Sequence, residues 1–171
     1  MDISKELALA QKARKQGKDP SSEVEIAIAH DLAERVVGLI STIAPQIRDK
    51  RIIKRIKSLE EQYGKLDWRV ACIIALEVAQ QKYCTFDNNL QAMEVGIRLG
   101  FSYVTVGVVS APLEGFIHLK EKERRDNKQY LSMQFAGPIR NAGGTAAAVS
   151  VIIADYVRVH MGYEPYDPTD E

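Results

Sequence analysis

The sequence predicts an α+β fold: a helical first hundred residues, then a small antiparallel β-unit and a closing helix. Three observations carry this. Apolar residues recur at three- and four-residue spacing through residues 3–100. From residue 101 the period shortens, with alternating segments around an Asp126-Asn127-Lys128 turn. A glycine-rich turn, Gly143-Gly144, then leads into an apolar helix. The expected division is a helical part over 1–100, a β-unit plus helix over 101–162 within one continuous domain, and an acidic tail over 163–171.

Taken in order, residues 3–16 form a weakly amphipathic helix with Ile3, Leu7 and Ala10 on one face, broken at Gly17. Ser22 and Glu25 have capping-box spacing and open a helix carrying Val24, Ile28, Leu32, Val36, Leu39 and Ile43. Pro45 ends that helix or kinks it near Ala44. Residues 46–63 read as a basic helix with an Ile52, Ile56, Leu59, Tyr63 stripe, stopped by Gly64. Asp67 caps a helix over 68–82 that is apolar from Val70 through Ala79 and therefore central. Asp87 or Asn88 caps a further helix, with Leu90, Met93 and Ile97 inward and Gly100 as its stop.

Residues 103–109 (YVTVGVV) are β-branched and read as a strand. Residues 116–124 and 130–136 read as a hairpin. Ile117 and Leu119 share one face of it, with His118 and Lys120 opposite; Leu131, Met133 and Phe135 share a face of the second strand. The last helix spans 145–161, with Val149, Ile152, Tyr156 and Val159 as its core face and Gly162 closing it. The tail EPYDPTDE reads as a loop with nothing after it to anchor.

Composition narrows function. The chain has 171 residues, 46% apolar and 27% charged, which excludes disorder. Twenty-three basic residues balance 23 acidic ones, so any attraction to nucleic acid must come from a local patch. Cys72 and Cys84 make neither a disulfide framework nor a metal cluster, and His30, His118 and His160 stand apart. Cys72, within an apolar run, reads as a core residue. No apolar run reaches the roughly 20 residues a membrane span needs, so the expectation is a cytoplasmic protein without a membrane partner. No catalytic constellation is visible: no Ser-His-Asp set, no Walker A sequence, no His-Glu metal helix.

Two stretches could carry binding. In FAGPIRNAGGTAAA, residues 135–148, the turn Gly143-Gly144 leaves backbone N–H groups uncovered, the helix start adds a partial positive charge, and Arg140 adds a forked donor. Together with Thr145 these make a phosphate cradle. The competing view has the glycines allowing close strand–helix packing with Thr145 as cap. The second stretch is the basic helix. Residues 48–57 hold six basic residues and one acid, and Arg51, Lys54 and Arg55 are its candidate phosphate contacts. The bland alternative is a solvated outer face.

These residues also carry a resemblance. VGVVSAPLEGF (106–116), ERRDNKQYLSMQF (123–135), AGPIRNAGGTAAAVSVIIADYVR (136–158) and, upstream, IAPQIRDKRIIKRI (43–56) resemble the N-terminal region of the large subunit of archaeal DNA polymerase II, polymerase D. The resemblance implies template-directed DNA synthesis by a holoenzyme using Mg²⁺. It also implies a small subunit with 3′→5′ exonuclease activity, and DNA and the rest of the large subunit as partners. The family's catalytic aspartates lie in a motif like Asn-Ala-Asp-Phe-Asp-Gly-Asp. Nothing like it occurs here, since Asp126, Asp155 and Asp167 stand alone, and no family catalytic or metal residue maps onto this chain. The expected role is thus a non-catalytic N-terminal piece that braces the polymerase core and contacts DNA. Its rivals are a pure assembly module that never touches DNA and, more remotely, a free-standing phosphate-ligand enzyme.

Overall fold

The computed structural model describes residues 3–18, 29–107, 110–137, 139 and 144–168. Among these, five helices come first: α1 (Ile3–Lys15), α2 (Leu32–Ile40), α3 (Lys50–Tyr63), α4 (Trp68–Ala79) and α5 (Asn89–Val104). A 3₁₀ turn over Pro45–Ile47 joins α2 to α3. A single π-type turn, Ser110–Gly115, leads to β1 (Phe116–Glu123) and β2 (Gln129–Phe135), and α6 (Gly144–His160) follows. This is the α+β architecture expected, with a two-stranded antiparallel sheet.

Most helix boundaries follow from side-chain caps. Asp67 and Asn88 sit in extended backbone and accept hydrogen bonds from the Arg69 and Gln91 N–H groups. Gly64 ends α3 with φ of 99°, a conformation open to glycine. The helix expected from Ser22 to Ile43 covers only Leu32–Ile40 among the described residues; the Ser22–Glu25 pair lies outside them. Its start is Asp31, which accepts from Glu34 N–H at 2.9 Å, while Glu34 reaches back to the His30 N–H.

The centre of the molecule is the antiparallel pair α4–α5. Val70, Ala71, Ile74, Ala75 and Ala79 of α4 face Met93, Ile97 and Leu99 of α5, all essentially without solvent exposure. Gly96 and Gly100 make the contact close. A β-carbon on Gly96 would lie 2.3 Å from the Ala75 carbonyl oxygen, and one on Gly100 would lie 2.6 Å from that of Ala71. Gly100 therefore does not stop the helix as expected. It is a contact residue, and α5 runs four residues further, to Val104.

That extension overturns the strand expected at 103–109. Tyr103 and Val104 form the last helical turn, and residues 105–107 form a turn; residues 108–109 lie outside the described residues. Tyr103 is fully buried; its hydroxyl donates to Glu60 at 3.0 Å and accepts from the Leu66 N–H at 2.9 Å. Burial and these bonds outweigh a β-branched sequence whose strand preference is weak and context-dependent.

The hairpin forms as expected, with Phe116 opposite Phe135 and Leu119 opposite Met133. A register irregularity between Phe116 and His118 changes which side chains point inward. Phe116 and Leu119 are buried, whereas Ile117, expected beside Leu119, is 39% exposed. The hairpin is tied to α5 by Arg98. Its side chain is buried, pairs with Glu94 at 2.9 Å, and donates to the carbonyls of Pro112, Phe116 and Ile117. Its guanidinium also lies over the Phe116 ring, 4.6 Å from the centroid.

The inward face of α6 centres on Ser150, Ile153, Ala154 and Val157; of the expected Val149, Ile152, Tyr156 and Val159, Val149 and Tyr156 are partly buried against the core and the other two are not. Ile152 and Val159 are more than half exposed. The helix is apolar on several faces, so periodicity alone does not fix its rotation. The tail through Pro168, expected to be loose, is fastened to the hairpin: Asp167 pairs with Arg125 and Glu164 with Lys128, each at 2.8 Å.

The glycine contacts define a stability test. Gly96→Ala and Gly100→Ala each force a methyl into backbone, and overpacking costs about 1–3 kcal/mol or more. Gly38→Ala, in α2 where nothing lies within 4 Å of the added carbon, is instead expected to stabilise by roughly 0.5–1 kcal/mol. Urea unfolding of the three variants measures both signs.

Candidate nucleic-acid interface

α3 carries the densest positive charge, and its apolar stripe decides how that charge is presented. Ile52, Ile56 and Leu59 are buried against α2 and α4, leaving the lysines and arginines at the flanks and outer face. The three candidates have different surroundings. Arg51 forks onto its own helix cap, Asp49, at 2.6 Å, and also donates to the Tyr83 carbonyl. Arg55 forks onto Glu77 of α4 with two bonds of 3.0 Å. Lys54 is exposed and, among the described residues, has no ion-pair partner, and the same holds for Lys50 one turn earlier.

Glu77 is a buried carboxylate within the apolar run of α4. It accepts from Arg55 and, at 2.5 Å, from the Tyr83 hydroxyl, with Lys82 at 3.7 Å. Burial works to raise its carboxyl pKa, but the hydrogen bonds from Arg55 and Tyr83 outweigh it and hold the group below the usual 4.5. Burial first, and then the Glu77 carboxylate, push the Tyr83 phenol up. Arg55 is thus a structural cation as well as a surface one, which sequence spacing did not reveal. The available clue was a lone Glu in the apolar run of α4, a residue type almost never buried unless paired.

Of the phosphate-cradle residues, Arg140 and Gly143 lie outside the described residues. Gly144 and Thr145 form the exposed first turn of α6. Helix begins at Gly144, so Thr145 is inside the helix rather than its cap. A β-carbon on Gly144 would meet nothing within 4 Å. α4 lies between α3 and α6, presenting Glu77 to α3 and Cys72 to the side of α6.

Among the described residues the implied Mg²⁺ has no fitting donor set. Asp126 is bound to Arg124, Asp155 to Arg158 and Asp167 to Arg125. Among the described residues no three His, Cys, Asp or Glu side chains group so as to hold a metal ion. Nor is any described helix long and apolar enough to cross a membrane.

Compared with known proteins, the chain falls first into a class: over residues 1–171 it matches the N-terminal segment of a DNA polymerase subunit. It belongs to the family described as DNA polymerase II large subunit DP2, N-terminal. It is 48% identical over 170 residues to the DNA polymerase II large subunit of Nanoarchaeum equitans, covering 99% of this chain and 14% of that protein. The corresponding protein of Methanothermobacter thermautotrophicus is 43% identical over 164 residues, 95% of this chain and 14% of the relative. That of Thermococcus kodakarensis is 38% identical over 173 residues, 99% of this chain and 9% of the relative. The chain therefore spans about a seventh or less of these relatives.

The Arg55–Glu77 pair makes the acid side of the stability curve specific. A carboxyl held low in the folded state stabilises the fold above its unfolded pKa, and that contribution disappears as pH falls through the folded value. Arg55→Ala should destabilise the protein by about 1–2 kcal/mol at neutral pH, the lower part of the range for bonds to charged groups because Arg55 is a third exposed. It should also flatten the loss of stability below pH 4.5, read by melting temperature against pH.

Proposed function

We propose that the chain is a non-catalytic N-terminal piece of an archaeal DNA polymerase, bracing the polymerase core and lending it positive charge along the DNA path. What carries this reading is the match over the whole chain to a small fraction of a polymerase large subunit. Template-directed synthesis, the Mg²⁺ it uses and the aspartates that hold that metal belong to the remainder of the large subunit. A 3′→5′ exonuclease small subunit completes the heterodimer, and the complex works in the cytoplasm. Lys50 and Lys54, exposed one turn apart on α3, are the best placed cations for a phosphate backbone, with Arg51 beside them. In this reading Arg140, Gly143, Gly144 and Thr145 supply a second phosphate contact.

One observation favours the alternative, a pure assembly module. Two of the three arginine and lysine residues singled out on α3, Arg51 and Arg55, are already neutralised within the chain. The two readings separate on salt dependence. In the assembled polymerase, Lys50→Ala with Lys54→Ala should weaken DNA binding at low salt. The slope of log affinity against log salt should fall by roughly 0.9 for each phosphate that a lysine no longer neutralises. Melting should not change, because exposed charges contribute little to stability. An unchanged slope identifies the assembly module.

The chain by itself, given primed template, dNTPs and Mg²⁺, is expected to give no primer extension, because two-metal phosphoryl transfer needs clustered carboxylates. Extension that persists after contaminating polymerases are removed would overturn the non-catalytic reading.

A further inference from the structure

We infer that the apolar groove between α4 and α6 seats the remainder of the large subunit, which docks there through aliphatic or aromatic side chains. The inference rests on the reading of this chain as a piece of that subunit.

The starting point is α6. Its inward face is used by the chain's own core, yet Val151, Ile152 and Val159 are 48%, 57% and 54% exposed. A helix apolar on most sides is stable in water when most sides are covered, and here only one is. Beside it, Trp68, Val104, Val149 and Ile152 line a cavity of about 320 Å³ with no charged side chain on its walls. Trp68 is the chain's single tryptophan, stands at the first turn of α4, and is 62% exposed. On the other flank of α6, Val151 joins Leu131, Met133 and Phe135 around a second hollow of about 250 Å³, which the Asp155–Arg158 ion pair also lines. α6 is therefore a ridge between a wholly apolar furrow and one that carries a single ion pair, a shape that suits a partner straddling it. Contiguous apolar surface of this kind marks an interaction site rather than ordinary exposure.

Two arguments choose the occupant. The groove offers no cation to a phosphate, so nucleic acid gains nothing there. And in its relatives this region is continuous with a polypeptide of which it is only 14%, so a large mass of the same subunit is tethered beside it.

The test mixes this chain, biosynthetically labelled with 5-fluorotryptophan, with the unlabelled remainder of the large subunit encoded by the same genome. Trp68 gives the only ¹⁹F resonance. Binding should shift that resonance, and Ile152→Glu should weaken binding at least about tenfold, since a charge in a desolvated contact is costly. Val151→Asp, on the other furrow, is a second variant. Both positions are about half exposed, so melting temperatures should match the wild type. If the remainder binds wild type and both variants equally with the resonance unmoved, the groove is overturned while the subunit reading stands. If the remainder does not bind the wild-type chain at all, both fail. If sedimentation shows instead a dimer of this chain that Ile152→Glu dissociates, the occupant is a second copy and the inference is wrong.

Discussion

The rest of the structure depends on how closely α5 approaches α4. With hydrogen in place of a methyl at Gly96 and Gly100, the α5 backbone rests on the carbonyls of Ala75 and Ala71. α2, α3, β1 and α6 each pack against one or both members of this pair. α4 offers Glu77 to α3 on one side and Trp68 and Cys72 to α6 on another. α5 offers Arg98 to the π-type turn and β1. Burial raises the Cys72 thiol pKa to about 11, which keeps it neutral and inert at physiological pH. A larger separation of the two helices would move both flanking surfaces at once.

Those surfaces have opposite chemistry. On the α3 side, charge is abundant but mostly committed: Arg51 to Asp49, Arg55 to Glu77, Lys57 to Asp31 at 2.6 Å. What remains for a long-range field is small, in keeping with a chain whose charges sum to zero. On the side of α6 that faces α4 there is apolar area and no charge.

The elements legible in the sequence were those fixed by local chemistry. Asp67, Asn88 and Gly64 mark helix ends because their side chains or backbone freedom act within a turn, and the Asp126-Asn127-Lys128 turn fixes the hairpin. The errors arose where a distant contact decided. YVTV looks like strand but is drawn into helix and turn by the burial of Tyr103 and its bonds to Glu60 and Leu66. Gly100 looks like a stop but is a packing surface. α6 was legible as a helix and not in its rotation, because Val-Ile-Ile offers apolar residues in every direction. For the candidate interface, the crowding of charge on α3 was visible, but its pairing was not. Arg55 and Lys54 are neighbours in sequence, and only the fold shows that one faces a buried carboxylate and the other water.

Arg98 has a consequence for synthesis on the ribosome. It belongs to α5, but most of the oxygen atoms that satisfy it arrive later, the last of them the Ile117 carbonyl 19 residues downstream. At elongation rates of about 5–20 residues per second, the helical half emerges roughly one to four seconds before its central cation has a full set of acceptors. Through that interval only Glu94, one turn away, is at hand. The nascent helices therefore cannot seal around Arg98 on their own. Full satisfaction of Arg98 waits for the turn and strand that follow, so the two halves of the chain meet at this one side chain.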